Sequence, residues 1–441
     1  MAEIIPFRGL RFNAALVGNL STVTTPPYDV IDQAAQETFY RKNPYNIIRL
    51  ELGKTFPSDT PADNRYTRAA AEFNRWLKDG VLCQDPLPAF YLYQQEFPYE
   101  DSTLVRFGFI CGVKLVDYTE GMVLPHEETL PKHKADRLEL MRACHANFSS
   151  IFGLYNDPAG TVSTILNKTI TEKIPDTVLV DESGTTHRLW VIDDQKIISD
   201  LREEISPLPI YIADGHHRYE TALLFRREME TKGVSGYEHV MMTLVSLHDP
   251  GLVVFPTHRL VKDLPGFHLN TFLQKIKEWF TVEVFRLTPT VGAFSSSGTQ
   301  DFLNTLKQRG FTAHTFGFYP GGNEVFLLSL KEGVNPNDFA PPGKSAAWAN
   351  LDVSVLHTLI LEPLLGIGSQ ERASERNLAY TRDAHGALEQ VATGKQQMAF
   401  LLNPTRVEQV TAVASAGDKM PQKSTYFFPK LLTGLVINPL G

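Results

Sequence analysis

At 441 residues, 43% hydrophobic and 21% charged, the chain has the composition of a folded globular protein too long for one ordinary core, which excludes a disordered, low-complexity or repeat architecture. A formal net charge of −8 disfavours sequence-independent binding to nucleic acid, which relies on clustered Lys and Arg. The start of the chain lacks the basic, apolar pattern of a signal peptide, no run approaches a membrane span, and the three cysteines (Cys83, Cys111 and Cys144) show no CxxC pairing, so a reducing cytoplasm is the expected setting.

In chain order, Thr25-Pro26-Pro27-Tyr28-Asp29-Val30-Ile31 reads as a proline-fixed extended loop, followed by a helix to about Lys42 with Asp32 as its cap. Asn46 to Leu52 alternates as a strand does, Pro61 to Leu77 reads as an amphipathic helix, and Phe90–Gln94 with Arg106–Val113 reads as a strand pair. A polar run from His126 to Arg137 precedes a helix expected from Leu138, and Phe148 to Tyr155 leads into an apolar strand. Val178–Val180 and His187–Ile192 suggest a hairpin, and Leu208–Ile212 a short buried strand. Val240–Leu247 and Leu252–Arg259 read as two further strands, and Phe267 to Leu330 as scaffold of alternating helix and strand. Beyond the Pro336–Gly343 linker come a helix from Asp352 ending near Pro363, the strand Leu378–Thr381, a helix over Ala384–Ala392, the strand Met398–Leu402, a helix from Thr405 and a closing hairpin. Turn clusters divide this α/β pattern (mixed α+β) into segments 1–156, 157–343 and 344–441.

The chemistry concentrates in a few places. Asp214-Gly215-His216-His217-Arg218 follows the short strand and opens a helix: Asp214 can cap, Gly215 lets the backbone turn, and the helix start with Arg218 suits a phosphate. His126 beside Glu127 offers an imidazole and a carboxylate for acid–base or metal chemistry. His258 and Arg259 end an apolar strand, and Lys423-Ser424-Thr425 supplies a charge and hydroxyls without the glycines of a P-loop. The bland alternatives are a solvated first turn, a charged loop, a satisfied structural histidine and a polar turn before a strand. One pocket shared by all these clusters is the simplest account of their number.

Pro6-Phe7-Arg8-Gly9-Leu10, Pro26-Pro27-Tyr28-Asp29-Val30-Ile31, Asn46-Ile47-Ile48-Arg49-Leu50, His126-Glu127 with Thr129, Asp136-Arg137, Ala213 to Tyr219, Pro256-Thr257-His258-Arg259 and Met420 to Lys430 together resemble the DUF1015 family, nearly end to end. More distantly, Asp214-Gly215-His216-His217-Arg218-Tyr219 is similar to the phosphate-binding turn of the ParB/sulfiredoxin-like superfamily, which includes the free serine kinases. That resemblance implies a nucleotide-binding core elaborated by additional α/β segments, with Gly215, His217 and Arg218 contacting phosphate. His216 stands where sulfiredoxins carry their cysteine, so sulfinic-acid reduction is not expected, and the turn is closer to that of the kinases.

The reading that follows is a nucleotide-dependent phosphotransferase for a small hydroxylated metabolite such as serine, using ATP or ADP with Mg2+. Glu127 is the expected base, with Asp214 and His216 as further catalytic groups. Gly215, His217, Arg218, Lys423, Ser424 and Thr425 would hold the nucleotide, and Asp29, Arg49, His126, His258 and Arg259 the substrate. The alternatives are a nucleotide-gated regulatory protein of ParB-like type, or a metal-dependent hydrolase drawing ligands from His126, Glu127, His216, His217 and His258.

Overall fold

The computed structural model describes residues 1–129, 131–287, 289–290, 293–294, 296–374 and 376–441. One residue of the polar run from His126 to Arg137, residue 130, lies outside them. The architecture is mixed α/β, in two compact units: Met1–Pro125, Thr129–Val253 and Phe427–Gly441 form the first, His126–Glu128 and Val254–Tyr426 the second.

The first unit is built on a nine-stranded mixed sheet. Its order is Val123–Leu124, Ile210–Asp214, Ile151–Tyr155, His239–Ser246, Ser102–Lys114, Phe90–Tyr99, Thr186–Ile192 and Thr177–Val180, with Ile4–Ile5 on Ser102–Lys114. Ile210–Asp214 is parallel to Val123–Leu124, and His239–Ser246 is parallel to Ile151–Tyr155; the other pairs are antiparallel. Alternate residues of the strands, among them Phe90, Leu92, Phe109, Cys111, Ile210, Ile212, Met242 and Leu244, bury one face against helices that supply Val162, Leu166, Ile198, Leu201, Tyr219 and Phe225. A second cluster, containing Trp76, Phe73, Leu140, Cys144 and Phe148, packs the helices Arg65–Lys78 and Pro131–Cys144. Asn64 caps the former with a capping box, and Asp32 caps Gln33–Lys42 as expected.

The second unit carries a six-stranded antiparallel sheet, in the order Phe280–Arg286, Glu324–Leu330, Thr315–Tyr319, Met398–Leu401, His258–Val261, Leu378–Thr381. Phe272, Phe316, Phe318, Phe400 and the helical residues Val355, Leu359 and Ile360 fill one core, with Phe302, Leu306, Leu388 and Val391 in another.

Several expectations need correction. The units do not follow the boundaries at 156/157 and 343/344, because strand pairing runs across both: Met398–Leu401 lies between Thr315–Tyr319 and His258–Val261. Asn46–Leu52 is not a strand but a short helix, Ile48–Glu51; buried Asn46 accepts from the Ile48 amide at 2.9 Å and donates to Thr22 O at 2.7 Å, fixing a turn. The helix expected from Leu138 starts at Pro131. Leu252–Arg259 splits into Val253–Phe255 and His258–Val261 around Pro256, which has no amide to donate. The helix from Asp352 runs past Pro363 to Leu365, widening to a π-turn over His357–Leu361 that accommodates the missing proline amide. The closing hairpin is absent: Asn438–Pro439 pairs with Ala146–Asn147 instead.

Candidate functional site

The Asp214 turn is built as a strand running directly into a helix. Ile210–Asp214 ends at Gly215, the helix His216–Thr231 begins at once, and Gly215 itself is the cap position, so Asp214 does not cap. Gly215 has φ +97°, and a Cβ there would sit 2.9 Å from Nε and Nη2 of Arg218. The backbone conformation favours glycine, and a larger residue would in addition push the Arg218 guanidinium aside. Arg218 donates from Nη2 to Asp214 Oδ2 at 2.7 Å and from Nη1 to Ser150 O at 2.7 Å. The other Asp214 oxygen accepts from Lys430 Nζ at 2.5 Å. Burial alone would raise the Asp214 carboxyl, but the charges of Lys430 and Arg218 outweigh it and hold the group well below the usual carboxylate range. Asp214 is therefore a fixed anion between two cations and a poor base. His216 is buried and close enough to add to the field on Asp214, and His217 is half-buried.

Beside this turn a second polar group assembles in the same unit. Glu51, 3% exposed, accepts from Ser149 Oγ at 2.9 Å and lies 3.3 Å from Arg137 Nη1. Arg137 also donates to Asp136 and to Glu51 O, and its guanidinium stacks 4.1 Å from the centre of the Tyr28 ring. Asp136 further accepts from Tyr66 OH at 2.7 Å and from Arg65. Burial pushes the Tyr28 phenol up to about 12, against the pull of Arg137 and Arg218. Glu51, Arg137, Ser149, Arg218 and Thr221 line one cavity of about 40 Å³, room for a few water molecules or one small group.

Asp29 is exposed, and Arg49 stacks on Tyr40 at 4.5 Å and donates to Tyr40 O. Their near neighbours Tyr28 and Glu51 join the cluster instead. In the helix Ile48–Glu51, positions 49 and 51 point to opposite sides, so Arg49 meets Tyr40 while Glu51 turns inward. His126, Glu127, His258, Arg259, Lys423, Ser424 and Thr425 belong to the second unit. There His126 Nε2 meets Thr425 Oγ1 at 3.0 Å, and Glu127 Oε1 accepts the Lys423 amide at 2.7 Å. Lys423 is left-handed, with φ 57°, and Ser424 Oγ donates to Pro421 O, so this segment is a tightly bonded turn rather than an open phosphate cradle. His258 accepts the Leu402 amide at Nδ1, the contact of a structural histidine, and burial pushes its pKa down to about 4. Among the described residues no group of three or more His, Cys, Asp or Glu is placed to hold a metal ion. Among them, too, no helix is long and apolar enough to cross a membrane.

The sequence reading missed Tyr28, Glu51, Ser149 and Lys430 as site residues. Tyr28, Glu51 and Lys430 sit inside or next to a motif already noted for the family, whereas Ser149 lies outside all of them, and their bearing on one place needed the tertiary fold.

No curated protein matches the chain. Among solved structures, a conserved hypothetical protein from Pyrococcus furiosus is 14% identical, with 70% of this chain and 89% of that chain covered and a TM-score of 0.31. A free serine kinase in complex with AMP is also 14% identical, with 70% and 84% covered and a TM-score of 0.33. SbnI with a C-terminal truncation, from Staphylococcus aureus, is 11% identical, with 74% and 85% covered and a TM-score of 0.34. Superpositions at that level say nothing about the site. The family described as Protein of unknown function (DUF1015) matches residues 4–354, most of the chain. This chain belongs to the DUF1015 family.

Proposed function

We propose that the chain is a nucleotide-dependent phosphotransferase acting on a small hydroxylated metabolite such as serine, and that nucleotide phosphate docks at the Gly215 turn of a ParB/sulfiredoxin-like core. The observation that carries the reading is the charge arrangement at that turn. One carboxylate, Asp214, lies between two cations, Arg218 and Lys430, leaving one net positive charge at the head of a helix of 16 residues. Asp214 fixes both cations rather than accepting protons. Phosphoryl transfer asks for this kind of prearranged charge more than for covalent chemistry.

The carboxylate suited to orient the acceptor is Glu51, because it lines the same small cavity as Arg218. In the transfer, the acceptor oxygen bonds to the terminal phosphorus as the bond to the bridging oxygen breaks; the hydroxyl proton passes to Glu51 and the nucleotide leaves one phosphate shorter, a nucleoside diphosphate from ATP or a monophosphate from ADP. Glu127 remains the alternative base from the sequence.

A thermal-shift titration with ATP, ADP, CTP, GTP and pyrophosphate, with and without Mg2+, tests the docking. Stabilisation by a nucleotide in the wild type and its loss in Arg218→Ala are expected; no stabilisation by any of them would overturn the reading. For the base, Glu51→Gln is expected to keep nucleotide binding and lose turnover by about a hundredfold or more. The same loss in Glu127→Gln, with Glu51→Gln unimpaired, would return the role to Glu127. Binding with no turnover on any hydroxylated acceptor would favour the nucleotide-gated regulatory protein instead.

A further inference from the structure

In the second unit, Arg259 lies within the strand His258–Val261 with its side chain wholly enclosed, at 0% exposure. Nη1 donates to Thr257 O, whereas Nε and Nη2 have no hydrogen-bond partner among the described residues. The ring of Tyr380 lies 5.0 Å from the guanidinium carbon, and a ring covers the face of the group, not the N–H bonds along its edge. Glu127 is the carboxylate whose charge is felt at Arg259, and one of its oxygens is already taken by the Lys423 amide.

The two orphaned nitrogens are not an arbitrary pair. Nε–H and one N–H of Nη2 run parallel along one edge of the guanidinium, the fork that receives both oxygens of a carboxylate or phosphate. A second buried polar atom in the same unit is also unmet. His357 is 5% exposed, has Nε2 unpartnered among the described residues, and is held neutral by burial and by the charges of Arg259 and Arg372. It opens the π-turn His357–Leu361. Burial pushes Arg259 down only to about 10, so it stays charged at neutral pH. Folded interiors rarely leave donors on a buried charge unmet, since the desolvation is then uncompensated.

We propose that the Nε/Nη2 edge of Arg259 is a binding site for a small oxyanion, the carboxylate or phosphate group of a small metabolite, separate from the Gly215 turn.

The test is a thermal-shift titration of the full chain with inorganic phosphate, sulfate, acetate and malonate, against chloride at matched ionic strength. It is run on wild type, Arg259→Met and Arg218→Ala. The expected result is a saturable rise in Tm that persists in Arg218→Ala and vanishes in Arg259→Met. The phosphate and carboxylate arms then tell which oxyanion is preferred. In chloride, Arg259→Met should melt at or above wild type, because removing an unmatched buried charge relieves the fold. If that variant does not fold, Arg259→Lys keeps the charge without the fork and should weaken the anion response by about tenfold or more. Absence of any saturable rise, a rise surviving in the Arg259 variants, or a chloride melting point of Arg259→Met well below wild type would overturn the proposal; the last would mark Arg259 as structural, met by internal water. Loss of the rise in Arg218→Ala alone would assign it to the Gly215 turn.

Discussion

Two buried arginines, one in each unit, solve the same physical problem differently. Arg106 and Arg259 are both essentially unexposed, both lie against an aromatic ring (Phe152 at 4.7 Å, Tyr380 at 5.0 Å), and burial pushes both down to about 10. Every guanidinium nitrogen of Arg106 has an acceptor: Nε and Nη2 converge on Gln95 Oε1, Nη1 reaches Phe428 O at 3.1 Å, and Nη2 also reaches Pro429 O. Gln95 in turn donates to Lys430 O, so the pair staples residues 427–441 to the sheet of the first unit. Arg259 has one backbone acceptor, and among the described residues Nε and Nη2 have none. Burial alone therefore does not tell a structural arginine from a ligand-binding one; the count of acceptors does.

The strongest break of this comparison is to remove each guanidinium in turn. Arg106→Met strands three acceptors and should cost about 3–5 kcal/mol in urea unfolding, whereas Arg259→Met in chloride should cost about nothing. Equal losses would erase the distinction.

A second contrast between the units is in pH. The folded pKa of His258 is depressed from 6.5 to about 4 by burial and the neighbouring Arg259, so the unfolded chain takes up a proton in that window while the folded chain does not. Stability from this group is full above pH 6.5 and lost as pH falls toward 4, by at most about 3 kcal/mol. Asp249 in the first unit runs the other way, since burial raises it from 3.8 to about 6; its contribution is present below 3.8 and lost as pH rises through 6. Unfolding at pH 7 and pH 4.5 should show that His258→Gln, whose amide oxygen can still accept the Leu402 amide, loses less on acidification than wild type. An unchanged acid slope would remove His258 as its source.

The smallest effect on stability sharpens the site itself. Gly215→Ala should cost about 1–3 kcal/mol for the positive φ and displace the Arg218 head group. Any nucleotide response should then disappear while the melting transition survives. A retained response would mean that Arg218 need not lie on Gly215.

Much of the local structure was legible in the sequence, since caps and periodicity are short-range. Asp32 caps its helix, the hairpin of Thr177–Val180 and Thr186–Ile192 forms, and the helix Ala384–Ala392 falls where the pattern put it. The misses are where a side chain or a distant strand overrode that pattern. Asn46 turned an alternating run into a helix through bonds to its own backbone and to Thr22, and Pro363 was absorbed by a widened turn instead of ending its helix.

By itself the sequence determined the mixed α/β class, the family and the motifs that hold the polar groups. Tertiary structure alone decided which members of those motifs meet. Tyr28 and Glu51 face Arg137 while Asp29 and Arg49 turn away, and Lys430 comes to Asp214 across 216 positions of chain. The reason is that residue type and spacing fix local dihedrals and amphipathic faces, whereas hydrogen-bond satisfaction is a property of the packed interior. Whether every nitrogen of a buried guanidinium has an acceptor among the described residues, as at Arg106, or two have none, as at Arg259, depends on acceptors brought in from elsewhere in the chain.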